Sequence, residues 1–96
     1  ERAMQDVYAD VAFLGTNGLT IEHGLTTPDL VEAGIKRALV ASARRVVVLA
    51  DHTKIGRSDF AHVAPLSAVD TLITDLDLEP DLADEIESAG PRVVRA

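Results

Sequence analysis

The sequence predicts an α/β domain with a layered, mostly parallel sheet. Three apolar segments of strand length end at Gly15, Asp51 and Asp75. A helical pattern separates the first two segments, and a second helical pattern follows the third. Strands that alternate with helices are typical of parallel sheets with crossover connections. The predicted order is strand, helix, strand, loop, strand, helix and a weak last strand.

The predicted strands differ in the polarity of their two faces. Residues 11–14 form a short apolar run that ends at Gly15. Residues 45–50 (RVVVLA) are β-branched and apolar on both faces, which predicts a central parallel strand. Residues 69–74 alternate in part, and residues 93–94 give a weak fourth strand.

Two segments carry the signals of a helix. Thr27 is the predicted N-cap, with Pro28 at the first helical position and Asp29 against the positive end of the dipole. The apolar residues that follow recur at helical spacing: Val31, Ile35, Ala38 and Leu39. A second helix is predicted from Pro80 to about Ser88, before a glycine and a proline that favour its end.

The composition excludes several classes of protein. The chain has 96 residues, no cysteine and a formal net charge of -7, so it offers neither disulfides nor thiolate metal ligands. A net acidic chain is a poor ligand for nucleic acid, because such affinity depends on lysine and arginine. No run approaches the roughly 18 apolar residues of a membrane span, and no export signal opens the chain. We therefore expect a cytoplasmic protein without a membrane partner.

Ligands of open α/β sheets bind at the carboxyl ends of the strands, and two segments near the first strand qualify. Residues 15–18 (GTNG) permit a tight turn with positive φ and a close approach of backbone to a ligand. The alternative is a turn with no other role. Residues 24–27 (GLTT) enter the first predicted helix and would offer exposed amides and two hydroxyls to an anion. The alternative is a helix cap alone.

The third segment is the most informative. Asp51 and Lys54 lie three residues apart directly after the long apolar strand. Together they would hold a polyol hydroxyl and a phosphate oxygen, since lysine binds phosphate as a point charge. The alternative is a local ion pair, which contributes little where it is exposed.

Two further sets of side chains are of a type found in functional sites. Glu32 and Lys36 are i,i+4 on the first predicted helix, either as an exposed ion pair or with one side chain facing the cleft. The three histidines show no spacing typical of a metal site: His23, His52 and His62. No nucleophile motif is present. We therefore predict neither a metal nor a cofactor.

Residues 10–18 (DVAFLGTNG), 32–38 (EAGIKRA) and 47–56 (VVLADHTKIG) together resemble one family. It is the DeoR family of bacterial transcriptional regulators, in its C-terminal effector domain. Residues 69–75 (VDTLITD) match the family's strand that ends in I-T-D. The similarity runs from about residue 6 to residue 90.

The resemblance implies a fold similar to ribose-5-phosphate isomerase, glucosamine-6-phosphate deaminase and CoA transferases. It implies a homo-oligomer that senses a phosphorylated sugar or related metabolite, with operator DNA bound by a separate N-terminal winged helix. The residues that fall on the effector cleft by this resemblance are Asp10, Gly15, Thr16, Asn17, Gly18, Glu32, Asp51 and Lys54. Lys54 would supply the cation, Asp51 and Asp10 would accept sugar hydroxyls, and residues 15–18 would offer backbone amides.

The chain differs from the related isomerases at one turn. It also differs from the complete regulators, because it contains neither the winged helix nor the first half of the effector domain. An acidic pair of the isomerases is replaced by Asn17 and Gly18, which argues against acid–base catalysis. Glu32 falls near the isomerases' proton-shuttling glutamate, and Lys54 falls on the lysine of their D-x-S-K motif. We predict a non-enzymatic sensor, with residues 1–96 as the C-terminal part of one effector-sensing domain. A sugar-phosphate isomerase or deaminase and a ligand-free oligomerisation module remain as alternatives.

Overall fold

A computed structural model describes residues 9–96. In chain order its elements are β1 (Ala9–Gly15), β2 (Gly18–Thr20), β3 (Gly24–Thr27), α1 (Leu30–Ser42), β4 (Ala43–Leu49), β5 (Ala61–Ala64), β6 (Thr71–Thr74), α2 (Pro80–Ser88) and β7 (Arg92–Arg95). Two short 3-10 turns lie at His52–Lys54 and Leu66–Ala68. Neither helix of this part of the chain is long and apolar enough to cross a bilayer.

The larger sheet has four parallel strands in the order β1, β4, β6 and β7. Leu14 lies beside Val48, Val48 beside Leu72, and Leu72 beside Val93, so one row of apolar residues crosses all four strands. Between β1 and β4 the chain forms β2, β3 and α1, and α2 alone connects β6 to β7. The predicted α/β class and the mostly parallel sheet are confirmed.

A second sheet was not predicted from the sequence. It is antiparallel and contains β2, β3 and β5. Gly24, which begins β3, has a φ of 70°, and a Cβ atom there would lie 2.1 Å from the carbonyl oxygen of Ala64. Strands of three or four residues are too short to show a clear alternation. For this reason β5 was not recognised, and the region between the second and third predicted strands was expected to be a loop.

Helix α1 begins two residues later than predicted, because Asp29 rather than Thr27 is its N-cap. The Asp29 carboxylate accepts a hydrogen bond of 2.9 Å from the backbone N–H of Val31. Thr27 is instead the last residue of β3, fully buried and paired with Ala61. Aspartate and threonine both cap helices well, so strand pairing decided which one does. The bounds of α2 agree with the prediction.

The two faces of the parallel sheet differ in burial. Alternate side chains on one face, including Leu14, Val48 and Leu72, pack in one apolar cluster with residues of both helices and the second sheet. The opposite face exposes Val11 and Phe13 of β1 and Leu49 of β4, and Phe13 is 67% exposed. Parallel sheets are usually covered on both faces, so this arrangement leaves one apolar face open.

Candidate functional site

The carboxyl ends of β1, β4 and β6 meet at one edge of the parallel sheet. Gly15 lies beside Leu49, and Leu49 lies beside Ile73. Each strand is followed by polar residues, so Asp51 and Asp75 project from the same edge as residues 15–18. The sequence-predicted site is therefore assembled mainly from segments that lie on neighbouring strands.

The turn at residues 15–18 is fixed by side-chain hydrogen bonds and by close packing. The Thr16 hydroxyl donates to the carbonyl oxygen of Gly18 at 2.8 Å. A Cβ atom on Gly18 would lie 2.4 Å from the carbonyl oxygen of Arg57, whereas a Cβ atom on Gly15 would meet no atom within 4 Å. The expected positive φ does not occur here: within residues 9–96 it is confined to three glycines, namely Gly24, Gly56 and Gly90. Gly18 is required for close approach rather than for backbone conformation.

One side chain of α1 contacts this turn directly, and a second contacts it through Thr27. Lys36 Nζ donates to the carbonyl oxygen of Gly15 at 2.6 Å and lies 3.1 Å from Glu32 Oε2. The Thr27 hydroxyl lies 3.3 Å from Glu32 Oε1 and 3.1 Å from Asn17 Oδ1. Glu32 and Lys36 therefore face the carboxyl ends of the strands, which their i,i+4 spacing could not decide. Lys36, which the resemblance did not place on the effector cleft, belongs to this cluster, and its side chain is only 16% exposed.

The segment after β4 forms a compact 3-10 turn that Asp51 caps. Asp51 Oδ1 accepts a hydrogen bond of 2.8 Å from the backbone N–H of Thr53 and another from its hydroxyl. These two bonds, the hydroxyl first, hold the pKa of Asp51 below its ordinary value. Lys54 Nζ lies 3.7 Å from Asp51 Oδ2. The carboxylate and ammonium predicted to act together are therefore adjacent in space.

His52 and Asp75 form a further contact that sequence reasoning missed. Asp75 Oδ2 accepts the backbone N–H of His52 at 3.0 Å and lies 2.9 Å from His52 Nδ1. The side-chain hydrogen bond raises the pKa of His52 above its ordinary value. The backbone hydrogen bond, then the ring contact, lowers the pKa of Asp75. The two residues are 23 positions apart, so no local spacing could signal the pair.

The same residues, with Asp51, are close enough to hold a metal ion. One ligand atom from each of Asp51, His52 and Asp75 lies within 4.8 Å of the others. Histidine nitrogen and carboxylate oxygen are ligands of several divalent ions. The expectation that no metal binds stays a prediction.

Asp10 and residues 24–27 do not have the binding roles considered for them from the sequence. Asp10 is near the amino end of β1, five residues and about 16 Å of extended strand from Gly15. Its carboxylate is 3.9 Å from Arg44 Nε and its side chain is 92% exposed. Residues 24–27 form a buried strand paired on both sides. They are therefore neither an entry with exposed amides nor a helix cap, because α1 begins only at Leu30 and is capped by Asp29.

A sequence model described as the DeoR C terminal sensor domain matches residues 1–76. The chain belongs to the DeoR family. The matched residues include every part of the site described above, from the turn after β1 to Asp75. The resemblance predicted from the motifs is thereby confirmed.

Curated relatives of this sensor domain are named as transcriptional regulators. The HTH-type transcriptional regulator GlpR of Haloferax volcanii is 47% identical over 94 residues, covering 98% of this chain and 37% of GlpR. GolR of Listeria innocua is 33% identical over 87 residues, covering 91% of this chain and 34% of GolR. IolR of Bacillus subtilis is 38% identical over 80 residues, covering 82% of this chain and 32% of IolR.

These comparisons decide between the classes of function left open by the sequence. The relatives are regulators and not enzymes, which confirms the non-enzymatic prediction for this DeoR-type sensor domain. The isomerase or deaminase alternative is not favoured. The chain spans about a third of the length of the relatives just described.

Proposed function

We propose that the sensor domain binds a phosphorylated sugar or related metabolite at the carboxyl ends of β1 and β4. The observation that carries this proposal is the juxtaposition of the residue 15–18 turn, held by Lys36, with Asp51 and Lys54, which follow the neighbouring strand β4. Lys54 contacts the phosphate, Asp51 accepts sugar hydroxyls, and the turn offers backbone amides. Thr16, Asn17 and Glu32 shape the turn.

The contacts of Lys54 allow its ammonium to leave Asp51 and bind a phosphate. Its ammonium is 3.7 Å from Asp51 Oδ2, and both side chains are partly exposed. An exposed ion pair contributes little to stability, so little is lost when the ammonium turns to a phosphate. Charge-assisted hydrogen bonds to phosphate are about twice as strong as neutral ones.

Asp10 has no part in this proposed site, because it lies at the other end of β1. Hydroxyl recognition is assigned to Asp51 instead. The oxygen that would accept them is Oδ2, whose neighbour is the Lys54 ammonium at 3.7 Å, because Oδ1 already accepts two hydrogen bonds from Thr53.

Effector binding acts on transcription through another part of the regulator. The net charge of -7 disfavours direct contact with operator DNA, and the relatives are HTH-type regulators. We propose that an N-terminal winged helix binds the operator. An effector changes that binding only if it prefers one of two states of the regulator.

Thermal unfolding of the full-length regulator tests the site. Ribose 5-phosphate and glucosamine 6-phosphate are compared with the unphosphorylated sugars. A ligand at 100 times its Kd stabilises the folded state by about 2.7 kcal/mol, so the midpoint of wild type rises. Lys54→Ala loses most of this rise, whereas Arg44→Ala, at the opposite end of β4, keeps it. The proposal fails if no phosphorylated sugar shifts wild type, or if Lys54→Ala responds equally.

The open face of the parallel sheet supports a second part of the proposal. We infer that residues 1–96 form the C-terminal part of the sensor domain and that the preceding part covers Val11, Phe13 and Leu49. These side chains are apolar and exposed on a sheet of a type that is normally covered on both faces. The relatives are about three times as long as the matched region, which leaves ample chain for such a layer.

A further inference from the structure

We propose that Thr27 is a positioning residue of the effector site. Its hydroxyl orients the amide of Asn17 so that the amide oxygen faces the effector and accepts a hydrogen bond from a sugar hydroxyl. This role rests on the proposed function, because Thr27 acts at the same site. The resemblance placed Asn17 on the cleft without an orientation and did not include Thr27.

Thr27 is a buried polar residue between the residue 15–18 turn and α1. It is the last residue of β3 and is fully buried. Its hydroxyl oxygen lies 3.1 Å from Asn17 Oδ1 and 3.3 Å from Glu32 Oε1. A buried hydroxyl is costly unless it is hydrogen-bonded, so these two contacts fix the position of the side chain.

The hydroxyl of Thr27 has one hydrogen for these two oxygens, and Glu32 is the stronger acceptor. Its carboxylate can only accept, and charged acceptors form stronger hydrogen bonds than amide oxygens do. Its second oxygen is held 3.1 Å from the Lys36 ammonium, which keeps the carboxylate in place. Because Glu32 takes the hydrogen, Asn17 must offer Thr27 a donor. A half turn of the amide supplies one, since its oxygen and nitrogen are nearly interchangeable in shape.

In this orientation each polar group of the network meets a complementary one. The amide nitrogen of Asn17 donates to Thr27, and Thr27 donates to Glu32. The oxygen of Asn17 is then left at the carboxyl edge of the sheet, on a side chain that is only partly buried. A carbonyl oxygen accepts from hydroxyls and is repelled by phosphate oxygens. The hydroxylated part of the effector therefore lies at the turn, and its phosphate lies at Lys54.

The opposite amide orientation is the competing arrangement. In it Thr27 donates to the oxygen of Asn17, and its lone pairs face the carboxylate of Glu32. The 3.3 Å contact between Thr27 and Glu32 would then join two acceptors, which is most costly in a buried network. The amide nitrogen of Asn17 would face the effector and favour its phosphate instead.

NMR spectroscopy of the isotope-labelled full-length regulator tests the orientation without a ligand. We expect the Nδ2 hydrogens of Asn17 to show nuclear Overhauser contacts with the side chain of Thr27. One of them should exchange slowly with water in wild type and rapidly in Thr27→Val. If both hydrogens exchange rapidly in wild type and neither contacts Thr27, the proposed orientation is wrong, whether or not an effector binds.

Calorimetric titrations with ribose 5-phosphate, glucosamine 6-phosphate and inorganic phosphate measure the consequence for binding. We expect Thr27→Val to weaken sugar-phosphate binding about tenfold, the equivalent of one hydrogen bond, and to leave the affinity for inorganic phosphate unchanged. Thr27→Ser keeps the hydroxyl and should restore most of the affinity. Thr26→Val is the matched control. Thr26 is equally buried, but its hydroxyl accepts the backbone N–H of Asp59, so this variant should bind like wild type.

Three results of the titrations overturn the inference. Equal weakening by Thr27→Val and Thr27→Ser assigns the loss to packing rather than to the hydroxyl. Wild-type affinity in Thr27→Val, or an equal loss toward inorganic phosphate, shows that Thr27 does not orient a hydroxyl contact, while the proposed function stands. Failure of wild type to bind either sugar phosphate refutes the proposed function, and with it the contact between Asn17 and the effector.

Discussion

The ammonium of Lys36 donates a hydrogen bond of 2.6 Å to the carbonyl oxygen of Gly15 while it pairs with Glu32 on its own helix. This contact ties α1 to the end of β1 at the turn of the proposed effector site. We expect Lys36→Met, which keeps the aliphatic stem, to lower the free energy of unfolding by about 1 kcal/mol, since a charged hydrogen bond is lost.

Glu32→Gln is the matched control for this contact. It removes the i,i+4 ion pair, worth roughly 0.5 kcal/mol or less, and leaves the bond to Gly15 in place. Urea denaturation of both variants gives the comparison. Equal costs for the two substitutions would show that the helical ion pair, not the strand contact, is the important interaction of Lys36.

Gly18 and Gly15 lie three residues apart and differ in the space beside them. A Cβ atom on Gly18 would lie 2.4 Å from the backbone oxygen of Arg57, so Gly18→Ala must displace backbone. We expect a loss of about 1–3 kcal/mol, as for other overpacked sites. Gly15→Ala meets nothing within 4 Å and should unfold with wild type. A stable Gly18→Ala, measured in urea, would contradict this packing.

The contact between His52 and Asp75 makes stability depend on pH. The pKa of His52 is raised in the folded state, so its contribution is complete below the ordinary pKa of histidine and is lost as pH rises through the raised value. The pKa of Asp75 is lowered, so its contribution is lost only as pH falls through that lowered value. The pair therefore stabilises the folded state most in mildly acidic solution.

Unfolding midpoints of His52→Gln and wild type at pH 5 and pH 8 check this dependence. We expect the difference between the two proteins to be larger at pH 5. His23→Gln serves as the control, because that ring lies against His62 and Ser58 rather than against a carboxylate. If the midpoints of wild type and His52→Gln differ by the same amount at both pH values, the ion pair does not contribute to the stability of the folded state.

The sequence predicted the parts of this fold that have strong local signals. The apolar run of β4 predicted that strand, and the proline and glycine around α2 predicted the bounds of that helix. The positions where the predicted strands end also indicated two site segments, the turn after β1 and residues 51–54. The second sheet escaped prediction because β2 and β5 are short and because Thr26 and Thr27 are buried despite their polarity.

The contacts within the candidate site depend on distant positions, and local patterns do not encode them. Asp75 reaches His52 across 23 residues, and Lys36 reaches Gly15 across 21. Asp10 shows that closeness in sequence does not imply closeness in space. It is close to Gly15 in sequence, but an extended strand carries it to the other end of the sheet.

The exposed side chain of Phe13 allows a direct test of the proposed covering layer. Because the 96-residue chain has no cysteine, its Phe13→Cys variant reacts with a maleimide at that position alone. In the full-length regulator, mass spectrometry of the peptide that contains residue 13 measures labelling at the same position. We expect rapid labelling in the 96-residue chain and strong protection in the full-length regulator. Phe60→Cys, at a side chain that is 76% exposed in the segment before β5, should react in both. Circular dichroism of the 96-residue chain verifies that it is folded when it is labelled.

The concentration dependence of labelling separates two kinds of cover. Protection of Phe13→Cys in the 96-residue chain that grows with protein concentration would indicate a second copy on the open face. Equal, rapid labelling of the short and full-length proteins would contradict the covering layer, because an apolar side chain beneath such a layer is shielded from the reagent. Protection in the full-length protein alone, at every concentration, is what we expect from cover by the preceding part of the same chain.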